Sequence, residues 1–436
     1  MRLRREELLP GVFLSSIRTD KFKSDCLSLS LLTALDRDTI SKNALLPRVL
    51  ARGTMYHPDL NSLNAEMETL YGTQIIPVVR KKGEILALGF YAGFLSERFV
   101  PEGPSLLDSV CGLLGELLLS PRTRGGLLWK DYVESEKEKL LDDVRAKLND
   151  KRSYAAGRLV EEMCAYEPYG CDDMGDEAGA ERVGYVELTR HWQSLLRTAP
   201  IEIFYCGAAE PSRVADALRE ALVTLPRGEL DYELGTDVRM NALEAQPREF
   251  REQLDVGQGK LCMGFRLGEC MEDPDLSAIL VFNALYGGSV NSKLFRNVRE
   301  KLSLCYYADS VCDRIKGLML VSSGVDFDKF ETARSEILAQ LDAVRAGDFS
   351  DEELESARNT VSSSLRSILD SPGALEKYYL FQTLCGLDYG PAEDAELCRM
   401  VKREDVLAIA RSVELDAVYY LEGKEPDEED AADAED

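Results

Sequence analysis

"VELTRHWQSLLRTAPIEIFYCG" (186–207) and "VKREDVLAIARSVELDAVYYLEG" (401–423) follow one plan. Each is an amphipathic helical run leading into an apolar strand that stops at glycine, and the two are nearly equal in length. They mark an internal repeat with a period of roughly 210 residues. The elements before each stretch also match. In the first half, "GVFLSSIRT" (11–19) and "CLSLSLLTAL" (26–35) read as strands, and helical segments follow near 43–52 and 61–71. Strands "TQIIPVVRK" (73–81) and "EILALGFYAGF" (84–94) then turn at Lys82-Gly83, and "SLLDSVCGLLGELLL" (105–119) carries a broad leucine stripe. Residues 128–165 read as one longer, more charged helical stretch.

The second half repeats this order. "EFREQLDV" (249–256) and "KLCMGFRL" (260–267) are strands, and "LSAILVFNALYG" (276–287) and "SKLFRNVREKL" (292–302) are helical. "LCYYADSVC" (304–312) and "GLMLVSSGV" (317–325) are strands, followed by helices over 330–347 and 350–369. Ser350 is placed to cap the last of these, with Glu353 at the capping-box position. Strands in pairs followed by helices predict an α+β fold of two similar domains, each a largely antiparallel or mixed sheet with helices packed on one face. The expected boundaries are 1–224, a polar linker at 225–248, 249–424, and an acidic tail at 425–436.

Composition bounds the function. The chain has 436 residues, too many for one ordinary core, and its net charge is −26. Eight acidic residues and no basic ones fall in "EPDEEDAADAED" (425–436), which leaves −18 on the rest. That tail reads as a disordered, solubilising end. So acidic a body repels nucleic acid. The longest apolar runs are about half of a bilayer span, which excludes a membrane segment. No apolar signal core follows the N-terminal "MRLRREELLPGVFL". The eleven cysteines are scattered, odd in number and never spaced C-x-x-C, as in a reducing compartment, and a cytoplasmic location is expected.

Few residues offer chemistry. Only two histidines exist, His57 and His191, and neither lies in a ligand cluster. That argues against a self-contained zinc site, and no cofactor is expected. "VGQGKL" (256–261) lacks the glycine and the Ser/Thr of a phosphate loop, having Leu254 and Leu261 there, and reads as a hairpin turn. In "YVESEKEKLLDDVRAKL" (132–148), Glu136 and Asp143 lie seven apart on one helix face; local pattern reads them as solvated surface. "GGSVNSKLFRNVREKLSLCYY" (287–307) is the densest stretch, with Arg299 and Tyr306 at a helix–strand junction. Local pattern alone reads them as an Arg paired with a neighbouring Glu and a packed Tyr.

Together these stretches resemble the pitrilysin or insulinase-like family of zinc metallopeptidases, the inverzincins. "SKLFRNVREKLSLCYY" is similar to that family's S-R-L-F-x-x-V-R-E-K-R-G-L-A-Y signature at Leu294, Phe295, Val298, Arg299, Glu300, Lys301, Leu304 and Tyr306. "EPYG" (167–170) resembles its H-P-Y-G turn and "ARGTMY" (51–56) its F-K-G-T turn. More narrowly, the chain resembles the non-catalytic bacterial YmfF-like subgroup.

The family's catalytic H-x-x-E-H supplies two zinc ligands and a general base from one helix. Counting back from Gly53-Thr54 places it at 44–48, where Ala44, Pro47 and Arg48 stand. The resemblance implies that both histidines and the base are gone. It also implies that Asp143 stands at the family's third ligand and Glu136 at the acid seven residues before it. These five are read as degenerate zinc-site positions, with no metal and no catalytic residue. Arg48 is expected to pair with Asp143 or Glu136. With Asn43 as helix cap, Pro47 would fall near the end of the first turn. Ser303 stands where the family has glycine, so a different local turn is expected. Arg299 and Tyr306 match the family's substrate-backbone-binding pair. The implied function is a non-catalytic subunit of a heterodimeric metallopeptidase, serving an H-x-x-E-H-containing paralogous subunit and a peptide or protein substrate. The alternative is a proteolytically inert peptide-binding or scaffold protein in a protein-modification complex.

Overall fold

A computed structural model describes residues 3–101, 103–268 and 273–424; the acidic tail at 425–436 lies outside the described residues. The strands are β1 (Leu3–Leu9), β2 (Val12–Arg18), β3 (Ser24–Ala34), β4 (Gln74–Lys82), β5 (Ile85–Leu95), a small ribbon of β6 (Thr123–Arg124) and β7 (Leu127–Leu128), β8 (Ile201–Gly207), β9 (Arg248–Leu254), β10 (Gly259–Arg266), β11 (Cys305–Asp313), β12 (Leu318–Val325) and β13 (Glu414–Gly423). The α-helices are α1 (Ile40–Leu50), α2 (Leu60–Thr69), α3 (Leu106–Leu119), α4 (Lys130–Ala146), α5 (Lys151–Met163), α6 (Glu177–Arg182), α7 (Tyr185–Thr198), α8 (Pro211–Ala221), α9 (Asp273–Tyr286), α10 (Phe330–Ala346), α11 (Asp351–Ser367), α12 (Pro372–Cys385), α13 (Pro391–Met400) and α14 (Arg403–Ser412).

The repeat is topological. The first sheet runs β1-β2-β8-β3-β5-β4 and the second β9-β13-β10-β12-β11. Without β1 the two orders correspond strand for strand. β8 is parallel to β2 and antiparallel to β3, and β13 is parallel to β9 and antiparallel to β10. The two stretches that announce the repeat are therefore the ones that insert last into the middle of each sheet. The insertion corrects the reading of "VGQGKL" as a hairpin turn, because β13 lies between β9 and β10. Ala417 to Leu421 are buried on both faces of β13, so that strand needs a neighbour on either side. β9 (REFREQL) is only partly covered along its length and takes the edge.

The chain divides into two compact units that interleave in sequence. Among the described residues, the first takes those within 3–145, 171–237 and 366–392; the second takes those within 146–170, 238–365 and 393–424. In the first unit, Leu27, Leu29 and Leu31 of β3 join a core with α1, α3 and α7. The other face of β3 and β8 meets α12, where Phe204 stacks on Tyr379 with centroids 5.9 Å apart and Leu32 clusters with Leu380. In the second unit, Leu261, Met263 and Phe265 of β10 are fully buried on the side of α10. On the other side, Cys262 packs with Ala155, Leu159 and Met163 of α5. A Cβ on Gly264 would meet Met163 Sδ at 2.4 Å, so glycine is required for that close approach. Most helices thus share one face of each sheet, and one helix covers the other.

Several local expectations are met and others corrected. Ser350 N–H reaches Glu353 Oε2 at 2.8 Å and Glu353 N–H reaches Ser350 Oγ at 3.1 Å, the reciprocal capping box at α11. The stretch 128–165 is broken: Asp150 accepts from the N–H groups of Arg152 and Ser153 and starts α5 afresh. Asn43 is not a cap. Helix α1 begins at Ile40 with Thr39 before it, so Pro47 sits in the interior, where its missing N–H leaves the Asn43 carbonyl without its helical donor. Asn43 is fully buried and lies 2.6 Å from His191 Nε2 instead. Residues 292–302 are wound as a π-helix over Leu294–Lys301. Ser303 keeps the left-handed turn at φ +49°, the conformation a glycine would favour. The segment 224–247 holds no helix or strand, yet Arg227 pins it through hydrogen bonds to the carbonyls of Pro10, Gly11, Leu196 and Ala199. Among the described residues, no helix is long and apolar enough to cross a membrane.

Candidate functional site

The positions that the resemblance assigns to the zinc site come together between α1 and α4. Ala44 is 2% exposed and Pro47 is buried, and both present only hydrocarbon there. Arg48 Nη1 donates to Asp143 Oδ2 at 2.6 Å, the pairing expected of it. Glu136, 6% exposed, is held by two other cations: Arg52 Nη1 at 3.1 Å and Lys139 Nζ at 2.7 Å, both on Oε1. The reading from sequence missed Arg52 and Lys139. Their signal was spacing, since Arg52 follows Arg48 by four residues, just past the end of α1, and Lys139 lies between the two acids on α4. A cavity of about 460 Å³ opens over these side chains, with apolar walls that include Leu60, Val79 and Met174.

These residues do not fit a zinc ion. A methyl, a pyrrolidine ring and a guanidinium stand at the positions that the resemblance gives to two imidazoles and a carboxylate, and the two acids that remain, Asp143 and Glu136, already carry cationic partners. Among the described residues, no group of three or more His, Cys, Asp or Glu is arranged to hold a metal. The two histidines are elsewhere engaged. His57 Nε2 lies 3.7 Å from Glu116 Oε2. His191 is partly buried beside α1, and desolvation followed by the nearby Lys42 charge pushes it down to about 4.

Arg299 and Tyr306 occupy a different kind of surface. Arg299 is exposed on the π-helix, its guanidinium 4.6 Å from the Phe295 ring centroid, and among the described residues no carboxylate pairs with it. Tyr306 is 64% exposed. The local alternative of an ion-paired Arg and a packed Tyr is therefore not what forms. Tyr306 falls in a β-bulge: Cys305 pairs with Val325 and Tyr307 with Gly324, leaving Tyr306 as the extra residue. Its neighbour Tyr307 is the packed one, with the Arg152 guanidinium 4.2 Å over its ring. Arg152 also donates to both oxygens of Asp309 at 2.7 and 2.6 Å, which ties the N-terminal turn of α5 to β11.

One polar constellation in the second unit had no local signature. Arg266 and Lys316 are fully buried, and Asp416 is 1% exposed. Arg266 Nε donates to Asp416 Oδ2 at 2.8 Å and its Nη2 to Glu167 Oε1 at 2.6 Å, while Lys316 Nζ reaches Glu167 Oε2 at 2.7 Å. Burial raises the Glu167 carboxyl, but Arg266 and Lys316 outweigh it and hold it below the usual range. Glu167 opens the "EPYG" turn, so this cluster anchors that turn to β10 and β13. The partners are separated by about 100 to 150 residues in sequence, beyond the reach of any periodicity.

A repeated α+β unit whose ligand positions carry no ligands is the architecture of an inactive metallopeptidase. The Peptidase M16 inactive domain model matches residues 183–361. "Probable inactive metalloprotease YmfF" of Bacillus subtilis (strain 168) is 33% identical over 417 residues, covering 95% of this chain and 96% of that protein. The chain belongs to the M16 metallopeptidase family, as an inactive member. "Antilisterial bacteriocin subtilosin biosynthesis protein AlbE" of the same organism is 24% identical, over 74% of this chain and 83% of its own length. The crystal structure of a conserved protein from Enterococcus faecalis V583 superposes with a TM-score of 0.88 at 26% identity, covering 98% of this chain and 100% of that one.

Proposed function

We propose that this chain is the non-catalytic subunit of a heterodimeric zinc metallopeptidase. A paralogous subunit carrying H-x-x-E-H supplies the metal and the base, and Arg299 and Tyr306 of this chain bind the backbone of the peptide substrate near the scissile bond. The observation that carries the reading is the exposure of that pair. A left-handed turn at Ser303 and a bulge at Tyr306 hold both side chains out, and Arg299 has no internal carboxylate to neutralise it. Donors of this kind act by stabilising charge on the reacting carbonyl oxygen.

The test is reconstitution of the complex with the H-x-x-E-H paralogue and measurement of peptide cleavage. Arg299→Ala and Tyr306→Phe are each expected to lower kcat/KM by about 10²-fold without preventing assembly. Unchanged cleavage overturns the assignment. A second reading, an inert peptide-holding or scaffold protein in a protein-modification complex, draws on the cavity retained beside α1. It is favoured if the chain co-purifies from cells with a complex that contains no H-x-x-E-H subunit.

A further inference from the structure

We infer that the cavity between α1 and α4 is a binding site for the free C-terminal carboxylate of a peptide whose last side chain is apolar. The inference stands apart from the role proposed for Arg299 and Tyr306 and does not depend on it. It begins with the donors. Arg48 near the end of α1 and Arg52 in the turn just after it both line the cavity, as does Lys139 from α4. Like charges at this spacing repel, so their retention side by side needs acids nearby, and Asp143 and Glu136 supply them. Those acids leave most of the donors unused. Among the described residues Arg48 donates from Nη1 alone, to one oxygen. Arg52 likewise gives Nη1 to Glu136, and its Nε is buried with no partner. A guanidinium has five N–H groups in a planar fork that matches a carboxylate, so two adjacent half-used forks form an acceptor-seeking surface.

The walls choose among anions. Leu60, Val79 and Met174 give the cavity an apolar side directly above the charged floor, and its 460 Å³ falls in the range of small-ligand sites. A carboxylate attached to the same residue as an apolar side chain places one group on each surface, whereas inorganic phosphate leaves the apolar wall empty. Asp173 also lines the cavity, so its formal charge is balanced and recognition rests on the directed guanidinium donors rather than on net field.

Isothermal titration of the full-length chain at low ionic strength tests this with four probes: N-acetyl-glycyl-leucine, its C-terminal amide, N-acetyl-glutamyl-leucine amide and inorganic phosphate. The free acid is expected to bind at least about tenfold more tightly than the other three. Arg48→Met should weaken the free acid by about tenfold. Because that variant could lose affinity through misfolding, Asp143→Asn provides the opposite sign. It frees the Arg48 fork and should tighten binding of the free acid. Equal binding of acid and amide, preference for the glutamyl side chain or for phosphate, absence of binding at millimolar peptide, or weaker binding by Asp143→Asn each overturns the inference.

Discussion

At the scale of single residues, the emptied site is stabilised by replacement charges. Glu136 is buried, and a buried carboxylate without a partner is costly; Arg52 and Lys139 supply its partners. Arg48 does the same for Asp143 from the position that the resemblance gives to a ligand. His191, hydrogen-bonded to the buried Asn43, has a pH consequence of its own. His191 has an ordinary value of 6.5 and is pushed down to about 4 by burial and then by Lys42. As pH falls below 6.5, the unfolded chain binds a proton that the folded chain refuses until about 4. Stability is therefore intact above that window and is lost through it, by up to about 3 kcal/mol. Glu202 works in the other direction. Burial pushes it up to about 6, only partly offset by Arg5, so the folded chain takes this proton first and gains stability as pH falls from 6 to its ordinary 4.5. Denaturant titrations at several pH values should show a flatter acid limb for His191→Gln and a steeper one for Glu202→Gln. An unchanged slope in His191→Gln contradicts the partly buried neutral imidazole.

At the scale of elements, α1 and α4 keep the facing arrangement that a two-helix metal site requires, although α1 now runs through an interior proline. The lost chemistry then resides in three side chains and not in the backbone. The variant Ala44→His/Pro47→Glu/Arg48→His should take up an equivalent of zinc, measured by elemental analysis after dialysis. Adding Asp143→Asn should abolish the uptake. A metal-free triple variant that remains folded means the ligand positions are wrongly assigned. The second half shows element-scale adjustment of another kind. The π-helix, the left-handed Ser303 and the bulge at Tyr306 follow one another within about a dozen residues, each shifting the direction of the chain at the Arg299–Tyr306 junction. Amphipathic spacing over 292–302 announces a helix but not its winding, because π and α forms bury nearly the same apolar residues over so short a run.

At the scale of the whole molecule, the two compact units do not follow the two halves of the sequence. Residues 146–170 belong with the second sheet and 366–392 with the first. Separating the chain within 224–247 would strip α12 from the first sheet, exposing Phe204 and the buried serines Ser28 and Ser30, and α5 from the second, exposing Cys262. Fragments 1–237 and 238–436 expressed alone should therefore fail to give cooperative thermal unfolding, whereas their co-expression should restore it. Two independently stable fragments would show that these helices add little to either sheet. Gly264, opened for Met163, marks how closely α5 is fitted.

What the sequence determined by itself was local and periodic. Strand alternation, leucine stripes, the capping box at Ser350 and the duplicated helix–strand ending are properties of neighbouring residues, so they survive without coordinates and suffice for the α+β repeat. The reading of 44, 47 and 48 as degenerate ligand positions came instead from the family resemblance. Tertiary structure alone decided which partners meet. It inserted β13 between β9 and β10, gave Glu136 to Arg52 and Lys139, buried Arg266 against Asp416 and Glu167, and left the Arg48 and Arg52 forks half used beside an apolar wall. Those outcomes follow from burial and charge pairing between distant segments. Each requires satisfying a desolvated polar group with whatever the fold brings near, and no sequence period encodes that choice.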